Sequence, residues 1–440
     1  MSHISRRTLL KSSTVLAAPL IVPSTVFGRA APSNKIHLAM FGVGTQGVGD
    51  MRNFAGNDDA RFIMVCDPFK SRREAAAKYL NGIYKDDSVV TTSDYREVMD
   101  RDDIDAIVAA TPDYWHVPLA LAAAVKGKDS YIEKPLSCSL AWSIHLRQVM
   151  QRHGRIMQYG TQQRSSRTFR YACEVVRNGY LGKIKHIDAW CADGTRAKPW
   201  MTAESLISEP VPADIDYENF VGPAPFFPYS HFRTNREGHF HCYEYSIGFL
   251  GGWGAHPLDI AQWGMGADNT SPVEYSGTGR IPTQGMYSTV YDWDINCRYA
   301  SGATLHFMST KIGEPVFMKY RRRNSDHGTT FFGEDGWLSV DRGGMEASDP
   351  RFLSIRLKPT DTRLVVSNSH ARNFLDCIRT REQPISHLEA AIRSDTISHM
   401  SDLTVRLGRP IHWDPAREVV VNDETANRML RRAMRPPFVF

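Results

Sequence analysis

"IHLAMFGVGTQGVGD" spans residues 36–50. The apolar run "IHLAMF" gives way to Gly42, Gly44 and Gly47, the G-x-G-x-x-G spacing. If the run is a strand and the glycines lead into a helix, each has its own task. Gly42 permits a tight turn, Gly44 lets a pyrophosphate approach the backbone, and Gly47 lets helix and strand pack closely. The helix then starts at Thr45 and Gln46, with free N–H groups facing the phosphates. Asp67 ends the next apolar run, 20 residues after Gly47. A carboxylate there accepts both ribose hydroxyls and repels a 2′-phosphate, so NAD is the expected cofactor rather than NADP.

Outward from this loop the same grammar continues. "RFIMVC" (61–66), "DAIVAA" (105–110), "SYIE" (130–133) and "RIMQY" (155–159) read as strands. "SRREAAAKYL", "VPLALAAAVK" and residues 139 to about 153 read as the intervening helices. Such alternation predicts a doubly wound parallel sheet, with ligands at the carboxyl ends of its strands. Beyond residue 160 the pattern changes. Tyr291, Trp293, Ile295, Cys297 and Tyr299 alternate with Asp292, Asp294, Asn296 and Arg298, as in a half-buried strand. "ATLHFM" reads as its return strand, "TTFFGEDGWLSV" as a hairpin, and "HARNFLDCIR" and "HLEAAIRSDTISHMSDLTVRLG" as late helices. The expected class is an α/β Rossmann domain (33–160), then an α+β domain (161–440) with a large, mostly antiparallel open sheet and C-terminal helices.

Length and composition agree with two soluble domains: 440 residues, 42% hydrophobic and 23% charged. The net charge is +5, and residues 1–30 hold Arg6, Arg7, Lys11 and Arg29 with no acid. Without them the balance is close to neutral, which excludes a nucleic-acid binder's basic face. The runs "KYRRR" (319–323) and "RRAMR" (431–435) read as solvated faces. Seven scattered cysteines with no CxxC argue against a disulfide scaffold or a zinc ribbon. "SRRTLLK" at 5–11, an apolar stretch from Val15 to Phe27 and "GRA" at 28–30 together resemble a twin-arginine signal peptide. The expectation is export to a bacterial periplasm, with the twin-arginine export machinery as a partner.

Glu133-Lys134-Pro135 in "YIEKP", after "ATPDYWH" (110–116) and behind the glycine loop, resembles the Gfo/Idh/MocA oxidoreductases. The resemblance implies that Lys134 contacts nicotinamide and substrate. It implies that Thr111, Pro112, His116 and Glu133 lie along the cofactor, and that the Lys134–Pro135 bond is cis. Gln163 and Arg164, in "GTQQR", are implied to meet nicotinamide or substrate. "GGWGAHPLD" (251–259) brings Trp253 and His256 to the substrate side. The family pattern places an Asp four residues before that His; here the position is Gly252. Asp259 reads as structural, and Glu244 is the other carboxylate that would orient the imidazole. Relatives associate through the outer sheet face, so a homodimer or homotetramer is expected.

The chemistry asked of these residues is general. Oxidising an alcohol requires a base for the O–H proton while hydride leaves carbon. A lysine in a closed site beside an oxidised nicotinamide is expected to lose its proton more readily, since burial and the neighbouring positive charge both disfavour ammonium. Lys134 is therefore the expected acid/base, assisted by His256. "HFHCYE" (239–244) with His231 offers metal-ligand types, but the resemblance implies no metal. "GPAPFFPYSHF" (222–232) reads equally as a packed loop or a sugar-stacking wall. The function expected is an NAD(P)-dependent oxidoreductase acting on a sugar, polyol or glycoside hydroxyl, with tightly bound NAD recycled in each turnover. The alternatives are a redox-neutral NAD-dependent glycoside hydrolase or lyase, and a non-catalytic sugar- or cofactor-binding relative.

Overall fold

The computed structural model describes residues 34–194, 198–235 and 237–438. The twin-arginine reading of residues 1–30 falls outside them. Six strands, β1 (Ile36–Phe41), β2 (Ala60–Cys66), β3 (Val90–Thr92), β4 (Ala106–Ala109), β5 (Asp129–Ile132) and β6 (Met157–Tyr159), form one parallel sheet. Its order is β3-β2-β1-β4-β5-β6. The sheet is covered on both faces, so β1 and β4 are buried almost end to end rather than alternating. The chain reverses direction across the sheet between β1 and β4, and a ligand crevice opens at such a switch point. β3 was not expected: it has three residues, too few to show a period.

The longer helices are α1 (Thr45–Ala55), α2 (Lys70–Tyr84), α3 (Asp113–Val125), α4 (Leu140–His153), α5 (Arg167–Arg177), α6 (Ala255–Met265), α7 (His370–Thr380) and α8 (Leu388–Leu407). The second sheet contains β7 (His186–Cys191), β8 (Glu274–Arg280), β9 (Tyr291–Arg298), β10 (Thr304–Ser309), β11 (His327–Phe332), β12 (Trp337–Asp341), β13 (Gly344–Ala347), β14 (Ile411–Asp414) and β15 (Val419–Val420). Its order is β13-β12-β11-β7-β10-β9-β8-β14-β15. Every neighbouring pair is antiparallel except β7 and β10. The period-two reading of β9 holds from Trp293 on, with Trp293, Ile295 and Cys297 buried and Asn296 and Arg298 exposed, but Asp292, expected outward, is buried with φ +49° and breaks the alternation at the strand's start. Helices α5, α6 and α8 pack against the inner face of this sheet.

Two features depart from the sequence reading. The break at residue 160 does not separate two cores. Ala371, Phe374 and Leu375 of α7 lie in the same cluster as Leu38, Phe54 and Phe62. Phe54 meets Phe62 and Phe374 edge-on, at centroid distances of 6.4 and 6.0 Å. The basic runs are also not simply solvated. Arg321 is buried against Asp341 and Glu346, and Arg435 pairs with Glu218 at 2.6 Å. All seven cysteines are buried and unbridged.

α8 is buried along most of its length although it carries five Ser and Thr in its middle. Four of these hydroxyls donate to carbonyls one turn back, Ser394 to Ala390 (3.1 Å), Thr396 to Ile392 (2.7 Å), Ser401 to Ile397 (2.7 Å) and Thr404 to Met400 (2.8 Å). Each hydroxyl is thereby satisfied inside its own helix, which removes most of the cost of burying it.

Candidate active site

The glycine loop is built for close approach. Gly42 has φ +75°, and a Cβ there would fall 2.6 Å from the Ala110 carbonyl oxygen. A Cβ on Gly47 would fall 1.9 Å from the Gly42 oxygen. At Gly44 nothing lies within 4 Å, so the backbone is open toward the crevice. No side chain caps α1, leaving its leading N–H groups for an anion. Asp67 is nearly fully buried, and its carboxylate accepts from Val43 N–H and Phe69 N–H, both at 2.8 Å. Burial pushes its pKa up, and the two N–H donors oppose that. Arg72, which the sequence reading passed over, lies at the same corner, stacked 3.8 Å from the Phe69 ring centre. These residues fit a dinucleotide: a cradle with no room for side chains, an uncapped helix start and a ribose-directed carboxylate.

From this loop a cavity of about 840 Å³ runs past Asp67, Thr111 and Pro112 to Glu133, Lys134, His239, Phe240 and Trp253. Thr45 and Gln46 line it too, and the buried Thr111 Oγ1 has no protein partner. The Lys134–Pro135 bond is cis, as expected, and Lys134 Nζ sits 5.8 Å from the Phe240 ring centre. Glu133 is buried, accepting from Lys134 N–H at 3.2 Å and Tyr131 O–H at 3.3 Å, and burial raises its pKa.

A carboxylate and an imidazole missed in the sequence complete this end of the cavity. Asp113, the first residue of α3, accepts from Ser246 O–H at 2.6 Å and lies 3.6 Å from His239 Nε2. Burial pushes the Asp113 carboxyl up to about 7; the Ser246 hydroxyl and Lys134 ammonium oppose the shift, and Asp395 adds to it. Burial, helped by His116, His241 and Lys134, pulls His239 down to about 3, so it stays neutral. Both residues line the cavity with Lys134. A signal for Asp113 was available inside "ATPDYWH", between Pro112 and His116. His239 had been weighed only as a metal ligand.

Other expected site residues are placed differently. His116 does not line the cavity; its Nδ1–H donates to the Pro135 carbonyl at 2.6 Å, bracing the backbone next to Lys134. Arg164 does not line the cavity. It is buried in ion pairs with Asp259 (2.7 Å) and Asp268 (2.8 Å), which also bears out the structural reading of Asp259. Gln163 Nε2 lies 3.0 Å from His327 Nε2 and outside the cavity. His256 is buried beside Trp253, with ring centres 5.7 Å apart, and does not line the cavity. Burial, then the charges of Lys134, Arg342 and His327, hold its pKa well below the usual range. At Gly252 a Cβ would meet the Phe240 ring at 2.7 Å, so an aromatic ring fills the space an Asp would need. Glu244 does not line the cavity either.

The histidines of "HFHCYE" and His231 do not converge. His231 pairs with Glu209 at 2.8 Å, His239 faces Asp113, and His241 packs on Trp200 and Tyr287. Among the described residues, the grouping with metal-ligand spacing is instead His186, Asp188 and His306. There the polar atoms already bond one another, Thr304, Asp294 and Tyr320. The aromatic loop 222–232 is mostly packed: Tyr229 joins Tyr217 and Phe220 in a small core, Phe227 meets Tyr245 and Phe232 meets Trp200, while Phe226 is exposed and none of the loop lines the cavity.

Comparison with known proteins agrees with this architecture. Residues 36–161 match the family model described as "Oxidoreductase family, NAD-binding Rossmann fold", and residues 167–313 and 358–440 match "Oxidoreductase family, C-terminal alpha/beta domain". Among curated proteins, the chain is 28% identical over 216 residues to glycosyl hydrolase family 109 protein 2 of Shewanella sp. (strain ANA-3), covering 43% of this chain and 46% of the relative. It is 25% identical over 217 residues to the alpha-N-acetylgalactosaminidase of Shewanella oneidensis, with the same shares. The chain thus matches less than half the length of these relatives. Among solved structures, myo-inositol 2-dehydrogenase from Lactobacillus plantarum superposes with a TM-score of 0.57 at 16% identity, over 86% of this chain and 99% of that one. Aldose-aldose oxidoreductase from Caulobacter crescentus gives 0.58 at 17%, over 86% and 99%. With a parallel sheet carrying an NAD-shaped cradle, an antiparallel sheet beside it and family matches across both, the chain belongs to the Gfo/Idh/MocA oxidoreductase family.

Proposed function

We propose that the protein oxidises a hydroxyl of a sugar, polyol or glycoside, using NAD that stays bound from one turnover to the next. The observation that carries this reading is convergence. Lys134, His239 and Asp113 line the far end of the cavity whose near end is the glycine loop. NAD, when bound, supplies the hydride acceptor. Lys134 takes the hydroxyl proton and passes it to the His239–Asp113 pair. Asp113, poised near 7, can hold or release a proton without leaving the physiological range. Phe240 and Phe249 line this end and keep water from it.

Retention of the cofactor is part of the proposal. Residues 1–30 read as a signal that exports folded proteins, and no NAD pool exchanges with an exported enzyme. The cofactor must then be restored within each cycle, by a second substrate or by a redox-neutral net reaction. The test is to denature purified protein, quantify released nicotinamide, and assay the native sample with and without added NAD. About one equivalent per chain and turnover without supplement are expected; empty protein active only with millimolar NAD would end this reading.

A second reading is favoured by the names of the curated relatives, glycosyl hydrolase family 109 and alpha-N-acetylgalactosaminidase. On that reading the same proton-transfer groups serve a transient oxidation that eases glycosidic cleavage. A glycoside panel analysed by mass spectrometry separates the two. A ketosugar product supports net oxidation, and a free aglycone with an unoxidised sugar supports hydrolysis.

A further inference from the structure

Arg342 occupies the turn between β12 and β13, in a stretch (314–357) outside both matched family segments. Its guanidinium lies 5.4 Å from the Trp253 ring centre, and Nη2 is 3.4 Å from His256 Nε2. The carboxylates beside it in sequence are already engaged: Asp341 with Arg321 and Arg323, Glu346 with Arg321. Asp326 is held by His327 at 2.7 Å. Among the described residues no carboxylate oxygen lies within 4.0 Å of Arg342, whereas its neighbour Arg323 pairs with Asp341 at 2.6 Å.

The surroundings of Arg342 are polar and unsatisfied. His256 is 3% exposed, and its Nδ1 has no partner. The charge of Lys134 also acts on the His256 imidazole. Arg342, itself exposed, and the buried His256 thus meet at Trp253, which is part of the cavity wall, and Asp326 is the carboxylate whose charge reaches Arg342. Buried polar atoms without partners usually await a group from outside the chain.

We propose that Arg342, stacked on the cavity-wall Trp253 and backed by His256, forms an anion subsite, so that the substrate carries a carboxylate, sulfate or phosphate bound by Arg342 while its ring rests against Trp253. This rests on the reading of the cavity as a carbohydrate site. Arg342 is then a specificity residue supplied by a segment outside the family's shared domains. A charge-assisted bidentate contact of this kind is worth roughly ten- to a hundredfold in affinity.

The test uses the holoprotein at a single ionic strength. Calorimetric titration compares glucose and galactose with their uronates, 6-sulfates and 6-phosphates, and turnover is followed on the same set. At least one anionic class is expected to bind ten times or more tighter than its neutral parent, and the three arms identify which. Arg342→Gln should narrow that ratio to below about threefold, and Arg342→Lys should keep part of it. Equal binding of neutral and anionic sugars, or a loss in Arg342→Gln that strikes both alike, overturns the subsite. Absence of turnover on every sugar while the anionic preference persists overturns the proposed reaction and leaves the subsite standing.

Discussion

Gly42, on the nucleotide side, and Gly252, on the substrate side, both lack room for a side chain, for different reasons. At Gly42 the obstacle is a carbonyl oxygen of the next strand's loop, and φ is positive. At Gly252 it is the ring of Phe240. The first constraint belongs to the backbone of the fold. The second belongs to one pair of side chains and could be rebuilt by another pair. The same contrast runs through the two walls. The nucleotide wall uses peptide groups at the ends of β1, β2, β4 and β5, while the substrate wall uses side chains from residues 219–253. Backbone function survives drift in side chains; side-chain function is where members of one fold come to differ.

The largest effect should come where the walls meet. Lys134→Met is expected to leave fold and nicotinamide content unchanged and to lower turnover about 10²–10⁴-fold, the range for a lost general acid/base. Activity within a few-fold of wild type would remove Lys134 from proton transfer. Asp113→Asn is expected to cost about tenfold to a hundredfold and to abolish the rise in activity with pH through about 7, where Asp113 ionises. A variant with unchanged pH profile would show that Asp113 only supports the fold.

Acid stability tests both walls together. Burial holds His116, His241 and His370 near 4 and His239 near 3. The unfolded chain therefore binds more protons than the native one between those values and about 6.5. Stability should be intact above that range and be lost as pH falls through it. Asp113, raised to about 7, acts oppositely, its contribution being present below about 4 and lost as pH rises through 7. Asp193, raised to about 6, and Asp50, Asp67, Glu133 and Asp259, also raised, act in the same direction as Asp113, so the test is a difference: His241→Phe should lower the dependence of stability on pH between 4 and 6.5 by about one proton relative to wild type. A pH dependence of melting temperature unchanged by His241→Phe would contradict neutral burial of that histidine.

On the nucleotide side, Asp67→Ser should narrow the preference for NAD over NADP by about tenfold, one charge contact's worth, with Arg72 left to meet the 2′-phosphate. Wild type that already binds both alike would refute Asp67 as the selector. The smallest effect is expected at Gly252→Ala. The Phe240 ring can yield, so the cost should be about 1 kcal/mol, or about 1 °C of melting temperature for a chain of this length. A drop as steep as that of Gly42→Ala would mean that Gly252 is constrained by backbone after all.

The contrast also explains what could be read from residues alone. The glycine spacing, Asp67, the order of the longer strands and helices and the alternation of β9 from Trp293 on are local patterns, and all are present in the structure as expected. Lys134 was found because its neighbours in sequence are also its neighbours in the site. The pairing of Asp113 with His239 joins positions 126 residues apart, and that of Arg164 with Asp259 positions 95 apart. No period or spacing encodes such contacts. His116 and His256 were placed at the site by the family resemblance, and the structure buries both off the cavity wall. The burial of α8 was equally hidden, because hydroxyls bonded within their own helix look like surface residues in a sequence.

The closing of the nucleotide-domain core by α7 has a consequence in time. Synthesis proceeds from the N-terminus, and β6 emerges from the ribosome well before Ala371, Phe374 and Leu375. At about 5–20 residues per second, the roughly 200 intervening residues take on the order of ten seconds or more. Through that interval Phe54 and Phe62 lack the aromatic neighbour that completes their cluster. A nascent chain stalled before residue 370 should therefore bind NAD weakly and engage chaperones, and tight loading of the dinucleotide becomes a checkpoint that only nearly finished polypeptide can pass.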